Sequence, residues 1–214
     1  PATPPFSIPT HTPAPVRIGI ARDEAFGFYY PDDLAALTRS GAELVPINTL
    51  TDAHLPAIDG LFIGGGFPET CMEQLAANVP LRMDIRHAID NGLPTYAECG
   101  GLMYLARSLT WNDRHADMVG IIPGDIHMHE RPQGRGYVRL EETADMPWPA
   151  TPGTTSGTTT EVAAHEFHYS SLTALAPGAR FAFKVLRGTG IDGQHDGYVY
   201  KNLLACYTHQ RDTQ

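Results

Sequence analysis

The sequence predicts an α/β fold: a mostly parallel central sheet with helices on both faces and added antiparallel strands. Short apolar strands alternate with helical patterns from residue 16 to residue 109. Glycine-rich turns follow two of these strands, at 64–66 and 100–101. Beyond residue 120 the pattern changes to closely spaced strand-like runs with few helices between them. With 214 residues at 42% hydrophobic content, the chain can build one domain with a substantial core.

Taken in order, "PATPPFSIPTHTPAP" (1–15) is rich in proline and threonine without an apolar period, and reads as a linker or disordered arm. The domain is expected over 16–214. "VRIGIA" (16–21) is the first strand. "PDDLAALTRSGA" (31–42) is a helix, with Pro31 and two aspartates suited to its first turn and Gly41 to its stop. "ELVPIN" (43–48) and "GLFI" (60–63) are strands, the latter running into "GGGFPE" (64–69). Helices follow at 68–78 and 80–92, then a strand "PTYAE" (94–98), Cys99, and a helix expected over 100–109. Five strand-like runs, "GIIPGDIHM", "RGYVRLEE", "AAHEFHYS", "ARFAFKVLRG" and "GYVYKNLLACYTH", fill the second half, some extending the sheet in antiparallel fashion. Residues 146–161 form a Pro/Gly/Thr stretch expected to be a flexible surface loop.

A net charge of −9 argues against a nucleic-acid binder. No apolar run of about 18 residues exists to span a membrane, and no signal-peptide pattern opens the chain. Cys71, Cys99 and Cys206 are odd in number and widely spaced, which suits reduced thiols in a cytoplasmic protein rather than a disulfide framework.

Cys99 stands between a strand and a helix, where α/β sheets present their ligand crevice. Such a turn is the nucleophile-elbow position with sulfur in place of oxygen. A helix N-terminus beneath the thiol favours the thiolate. The N–H of Gly100 would face an oxyanion. The position by itself also suits a small buried residue in a tight turn. "GGGFPE" offers bare amides at a neighbouring strand end, and lacks the Lys-Ser/Thr of a phosphate-binding P-loop. A cysteine nucleophile needs a histidine. His209 ends an apolar strand, and strand alternation groups it with Ala205 and Tyr207, leaving Cys206 on the opposite side as a core residue. Cys71 reads as packing. In "HEFHYS" (165–170), Glu166 and His168 share one face and His165 the other; this cluster could orient a base, bind substrate or pack. "HMHE" (127–130) with these residues is too weak a pattern for a metal site, and none is expected.

"YYPDDLAALTRSGAELVP", "DGLFIGGGFPE", "YAECGGLMYL", "MVGIIPGDI", "RGYVRL" and "HEFHYS", in this order, resemble the glutaminase domain of the cobyrinic acid a,c-diamide synthase family. That family belongs to the class I, triad-type glutamine amidotransferases, with a flavodoxin-like fold. The resemblance spans roughly residues 16–209. It implies hydrolysis of L-glutamine through a cysteine thioester, with Cys99 as nucleophile and His209 as base. Gly65, Gly66 and Gly100 match the oxyanion and glutamine-binding backbone, with Glu166 and His168 in support. It implies ammonia delivery to an ATP- and Mg²⁺-dependent synthetase domain or subunit that amidates the a- and c-carboxylates of cobyrinic acid, a corrinoid of cobalamin biosynthesis. The chain itself is expected to hold no cofactor. No P-loop pattern occurs in it, so the N-terminal ATPase domain is expected to be absent or separate. A homodimer is left open. Other expectations are amidation of a different tetrapyrrole or a cell-wall precursor, or a docking module with a decayed site. Class I triads place a glutamate two residues after the histidine. Here Arg211 stands there, so the orienting carboxylate is left unidentified, with Asp212 and Glu166 as candidates.

Overall fold

The computed structural model describes residues 14–148 and 161–210. Most of the expected arm (1–13), most of the expected loop (149–160) and Asp212 lie outside the described residues. The elements in chain order are β1 (Arg17–Ala21), β2 (Phe26–Phe28), α1 (Pro31–Arg39), β3 (Glu43–Ile47), β4 (Gly60–Ile63), β5 (Gly65–Gly66), a 3₁₀ turn (Pro68–Cys71), α2 (Met72–Ala77), α3 (Val79–Asp90), β6 (Thr95–Glu98) and α4 (Gly100–Leu105). There follow β7 (Ala106–Trp111), β8 (Arg114–Asp117), β9 (Ile122–Met128), β10 (Gly134–Glu142), β11 (Glu161–His168), β12 (Ser170–Thr173), β13 (Arg180–Arg187), β14 (His195–Tyr200), β15 (Leu203–Cys206) and β16 (His209–Gln210).

The main sheet runs β16-β11-β10-β13-β14-β15-β6-β4-β1-β3. Its β15-β6-β4-β1-β3 half is parallel throughout. Its other half is antiparallel, as the run of closely spaced strands suggests. Only Tyr207 and Thr208 separate β15 from β16, yet these strands stand five places apart in the sheet order. A two-residue link cannot cross a flat sheet of that width, since strands lie about 4.8 Å apart. The antiparallel half therefore curls back on itself, and that curl brings residue 209 beside residue 98.

Strand alternation sorts the core onto two faces. Leu61, Ile63, Ala97, Leu203 and Ala205 pack with α2, α3, α4 and the second sheet. Leu204 and Cys206 face Val138, Leu140, Ala182 and Phe183 inside the curl. In α3, Pro80 occupies the first turn, and Leu81, Ile85 and Ile89 repeat every four residues to bury one stripe. Each contributes about 1.5–3 kcal/mol of burial. On the opposite face α1 buries no residue fully, and Ala36 and Leu37 line a cleft with Phe62 and Tyr96. Helices thus flank both faces.

Two elements differ from expectation. The helix expected over 100–109 stops at Leu105, and residues 106–111 form β7, which pairs parallel with β9 and antiparallel with β8. Its Ser108 hydroxyl donates to Asp125 Oδ1 at 2.7 Å on β9, so sheet pairing overrides local helical preference. This second sheet, β12-β9-β7-β8, also takes the "GIIPGDIHM" strand. The helix expected over 68–78 is a 3₁₀ turn followed by α2.

Candidate active site

β6 delivers Cys99 to the carboxyl edge of the parallel strands. Its N–H donates to the Cys206 carbonyl of β15 at 2.8 Å, and its carbonyl accepts the Met103 N–H at 3.1 Å as the first bond of α4. Between these two anchors Cys99 takes φ 48° and ψ −100°. A non-glycine residue there stores about 1–3 kcal/mol, and such strain collects at functional sites. The strain falls on the cysteine, not on the glycines that follow. Those glycines are needed for space. A Cβ on Gly101 would sit 2.2 Å from the Ile63 carbonyl oxygen, and one on Gly100 would sit 2.8 Å from the Gly66 nitrogen. A Cβ on Gly66 would lie 2.0 Å from the Ala25 carbonyl oxygen. The backbones of Gly66 and Gly100 therefore touch directly beside the thiol.

His209 arrives from the far end of the sheet. The buried Asp196 carboxylate accepts the N–H groups of Tyr207 and Thr208, both at 3.0 Å, and the Thr208 hydroxyl at 2.6 Å. This fixes the two-residue turn and sends His209 into β16, opposite His165 of β11. Its Nδ1 lies 3.2 Å from Oε2 of Glu98, both side chains being almost fully buried. The other Glu98 oxygen accepts the Tyr96 hydroxyl at 2.7 Å and the Gln210 N–H at 3.1 Å. Burial by itself would favour a neutral His209 ring. Interaction with Cys99 and Glu98 outweighs that and lifts its pKa to about 10. Cys99, the His209 ring and the Glu98 carboxyl group thus stand together.

Residues 17–211 match the family described as the CobB/CobQ-like glutamine amidotransferase domain. The chain belongs to that family. It is 45% identical to the cobyrinate a,c-diamide synthase of Magnetococcus marinus, over 96% of this chain and 45% of that protein. It is also 45% identical to the enzyme of the same name from Archaeoglobus fulgidus, over 91% of this chain and 40% of that protein. The chain spans less than half the length of these curated relatives. Solved structures share the fold at low identity. PurLQS from Thermotoga maritima gives a TM-score of 0.66 at 14% identity, covering 91% of this chain and 87% of that one. A structure described as a glutamine amidotransferase gives 0.62 at 16%, covering 90% and 89%.

Within this amidotransferase domain, the fold brings Cys99, His209, Gly65, Gly66 and Gly100 together. Gly65 leaves room for His209: a Cβ there would come 2.9 Å from His209 Cε1. The carboxylate on His209 is Glu98, not Glu166. The Glu166 oxygens accept the N–H groups of Thr189 and Gly190, each at 2.8 Å, and its Oε2 lies 3.6 Å from His168 Nε2. His168 stacks on Tyr207 with ring centroids 4.0 Å apart, and its Nδ1 meets the Ser170 carbonyl at 2.8 Å. Both therefore brace the wall behind the site. On the opposite face of β11, His165 stacks on His209. Cys206 is fully buried in the core, as alternation required. The alternation that grouped His209 with Ala205 and Tyr207 breaks at Cys206, where β15 ends and the turn begins. Glu98 carried one sequence signal: it precedes Cys99 directly in "YAECGG". Among the described residues no helix is long and apolar enough to cross a membrane.

Proposed function

We propose that this chain is the glutaminase portion of a cobyrinate a,c-diamide synthase, hydrolysing L-glutamine and passing on the ammonia. The observation that carries this reading is the grouping of Cys99, His209 and Glu98 beside the touching backbones of Gly66 and Gly100. The Cys99 thiolate attacks the side-chain carboxamide carbon, forming a C–S bond and placing negative charge on the amide oxygen. The amides of Gly66 and Gly100 receive that oxyanion, at roughly 3 kcal/mol per donor. The C–N bond then breaks as the His209 imidazolium gives its proton to the departing ammonia. A water attacks the thioester, His209 takes its proton, and the thiolate leaves as glutamate forms. Glu98 holds the Nδ1–H throughout and stabilises the charged ring. In this reading the ammonia goes to a synthetase part that would activate the a- and c-carboxylates of cobyrinate with ATP and Mg²⁺, while the relatives' name, cobyrinate a,c-diamide synthase, speaks for the acceptor alone. The shared names and the 45% identity support the choice of acceptor.

The test is glutamate and ammonia release from L-glutamine by the purified chain and by Cys99→Ala, each alone and with a relative's synthetase portion added. Release that disappears in the variant is the expected result. Silence from the native chain under both conditions overturns the proposal.

A further inference from the structure

His165 takes no part in the steps above, yet its ring stacks on that of His209. The β11–β16 register sets it directly opposite His209. The two rings stack with centroids 5.0 Å apart and planes 17° from parallel. The Tyr30 hydroxyl, from the segment just before α1, lies 3.2 Å from His165 Nδ1 and 3.0 Å from its Nε2, and so tethers that ring. Phe28 closes the assembly edge-on to both Tyr30 and His209, at 5.7 and 5.3 Å. His209 is therefore held by Glu98 at Nδ1, by Phe28 at an edge and by His165 across a face. The titratable groups around His165 are His209 on β16, Glu98 on β6, Tyr30, and its register partner Tyr137 on β10.

We propose that His165 is a positioning residue for the glutaminase base: its flat ring, tethered by Tyr30, holds the His209 imidazolium in line between Glu98 and Cys99. This rests on the glutaminase reading of the site. A planar side chain lies flat against part of an imidazole face, here offset with centroids 5.0 Å apart, and a π face attracts a cationic partner. The stack requires His165 to be neutral while His209 is charged. Burial, then the neighbouring His209 charge, lower the His165 pKa, which keeps that combination at neutral pH. A rotation of His209 out of line would leave glutamine binding intact and slow the proton transfers, so the loss falls on kcat.

The experiment compares His165→Phe, His165→Leu and His165→Ala in the full chain. Phenylalanine keeps the flat face, leucine keeps only bulk, and alanine keeps neither. Expected are kcat values within about threefold of native for H165F, and at least tenfold lower for H165L and H165A, with KM for glutamine changed less than twofold. The same order is expected for carboxamidomethylation of Cys99 by iodoacetamide at pH 7, followed by mass spectrometry. That readout needs no glutamine turnover, so it tests the positioning role even if the glutaminase reading fails. A native-like H165L, or an H165F as slow as H165A, overturns the proposal.

Discussion

Replacing Glu98 by glutamine removes one charge with almost no change of shape, and the surrounding hydrogen bonds dictate the outcome. Oε1 accepts two donors, the Tyr96 hydroxyl at 2.7 Å and the Gln210 N–H at 3.1 Å. Burial, with Glu98 itself adding to the effect, pushes the Tyr96 hydroxyl far above its ordinary pKa, so it remains a donor. A carboxamide must therefore turn its oxygen toward those donors and its NH₂ toward His209 Nδ1. His209 can accept that NH₂ only as the tautomer with the proton on Nε2, the wrong form for a base facing Cys99. The lost attraction is bounded by a Coulomb energy of about 5 kcal/mol at 3.2 Å with an effective dielectric near 20. An aspartate-to-asparagine change in the serine-protease triad, which produces the same tautomer error, costs about 10⁴ in kcat. We expect Glu98→Gln to lose ~10³–10⁴-fold in kcat with little change in KM, and Glu98→Ala, which imposes no tautomer, to lose less. Glutamate release at pH 7.5, measured with the synthetase portion present, reads both. An E98Q enzyme within tenfold of native would falsify the assignment of Glu98 as the orienting carboxylate.

Gly66→Ala drives a Cβ to 2.0 Å from the Ala25 carbonyl oxygen, a backbone atom with no freedom to yield. It should destabilise the chain by about 1–3 kcal/mol and reduce turnover more than a hundredfold; denaturant titration and glutamine hydrolysis check the two losses. The raised pKa of His209 fixes the sign of a stability–pH dependence. Its contribution is fully present below pH 6.5 and is lost as pH rises toward its folded value of about 10. Native Tm should therefore fall between pH 7 and 10 more steeply than that of His209→Ala, and parallel slopes would contradict the Cys99–His209–Glu98 coupling.

The strand-turn-helix around Cys99, the parallel half of the sheet and the two glycine turns are properties of consecutive residues. Hydrophobic period and turn chemistry report them without reference to the rest of the chain. The same holds for Cys206, whose burial follows from its place between Ala205 and Tyr207 on an apolar strand. Helix 100–109 was half legible. Its first turn is local, but its continuation depended on whether residues 106–111 would find β8 and β9 as partners, and pairing of that kind is set from a distance.

The carboxylate on the base was settled only by tertiary structure. Glu98 and His209 are 111 residues apart and meet because β15 pairs with β6 while the Asp196-bound turn swings the chain into β16. Alternation sends neighbours to opposite faces, so residues 98 and 99 should diverge. The positive φ of Cys99 cancels that rule and lets both face the same imidazole. His165 reached His209 by the same route, through a cross-strand register that no local pattern encodes. The sequence by itself determined the turn that holds Cys99 and the kind of fold that presents it, because these are short-range steric and hydrophobic facts. The curl of the sheet decided which acid and which second ring attend the base, because it alone joins strands that the chain order keeps apart.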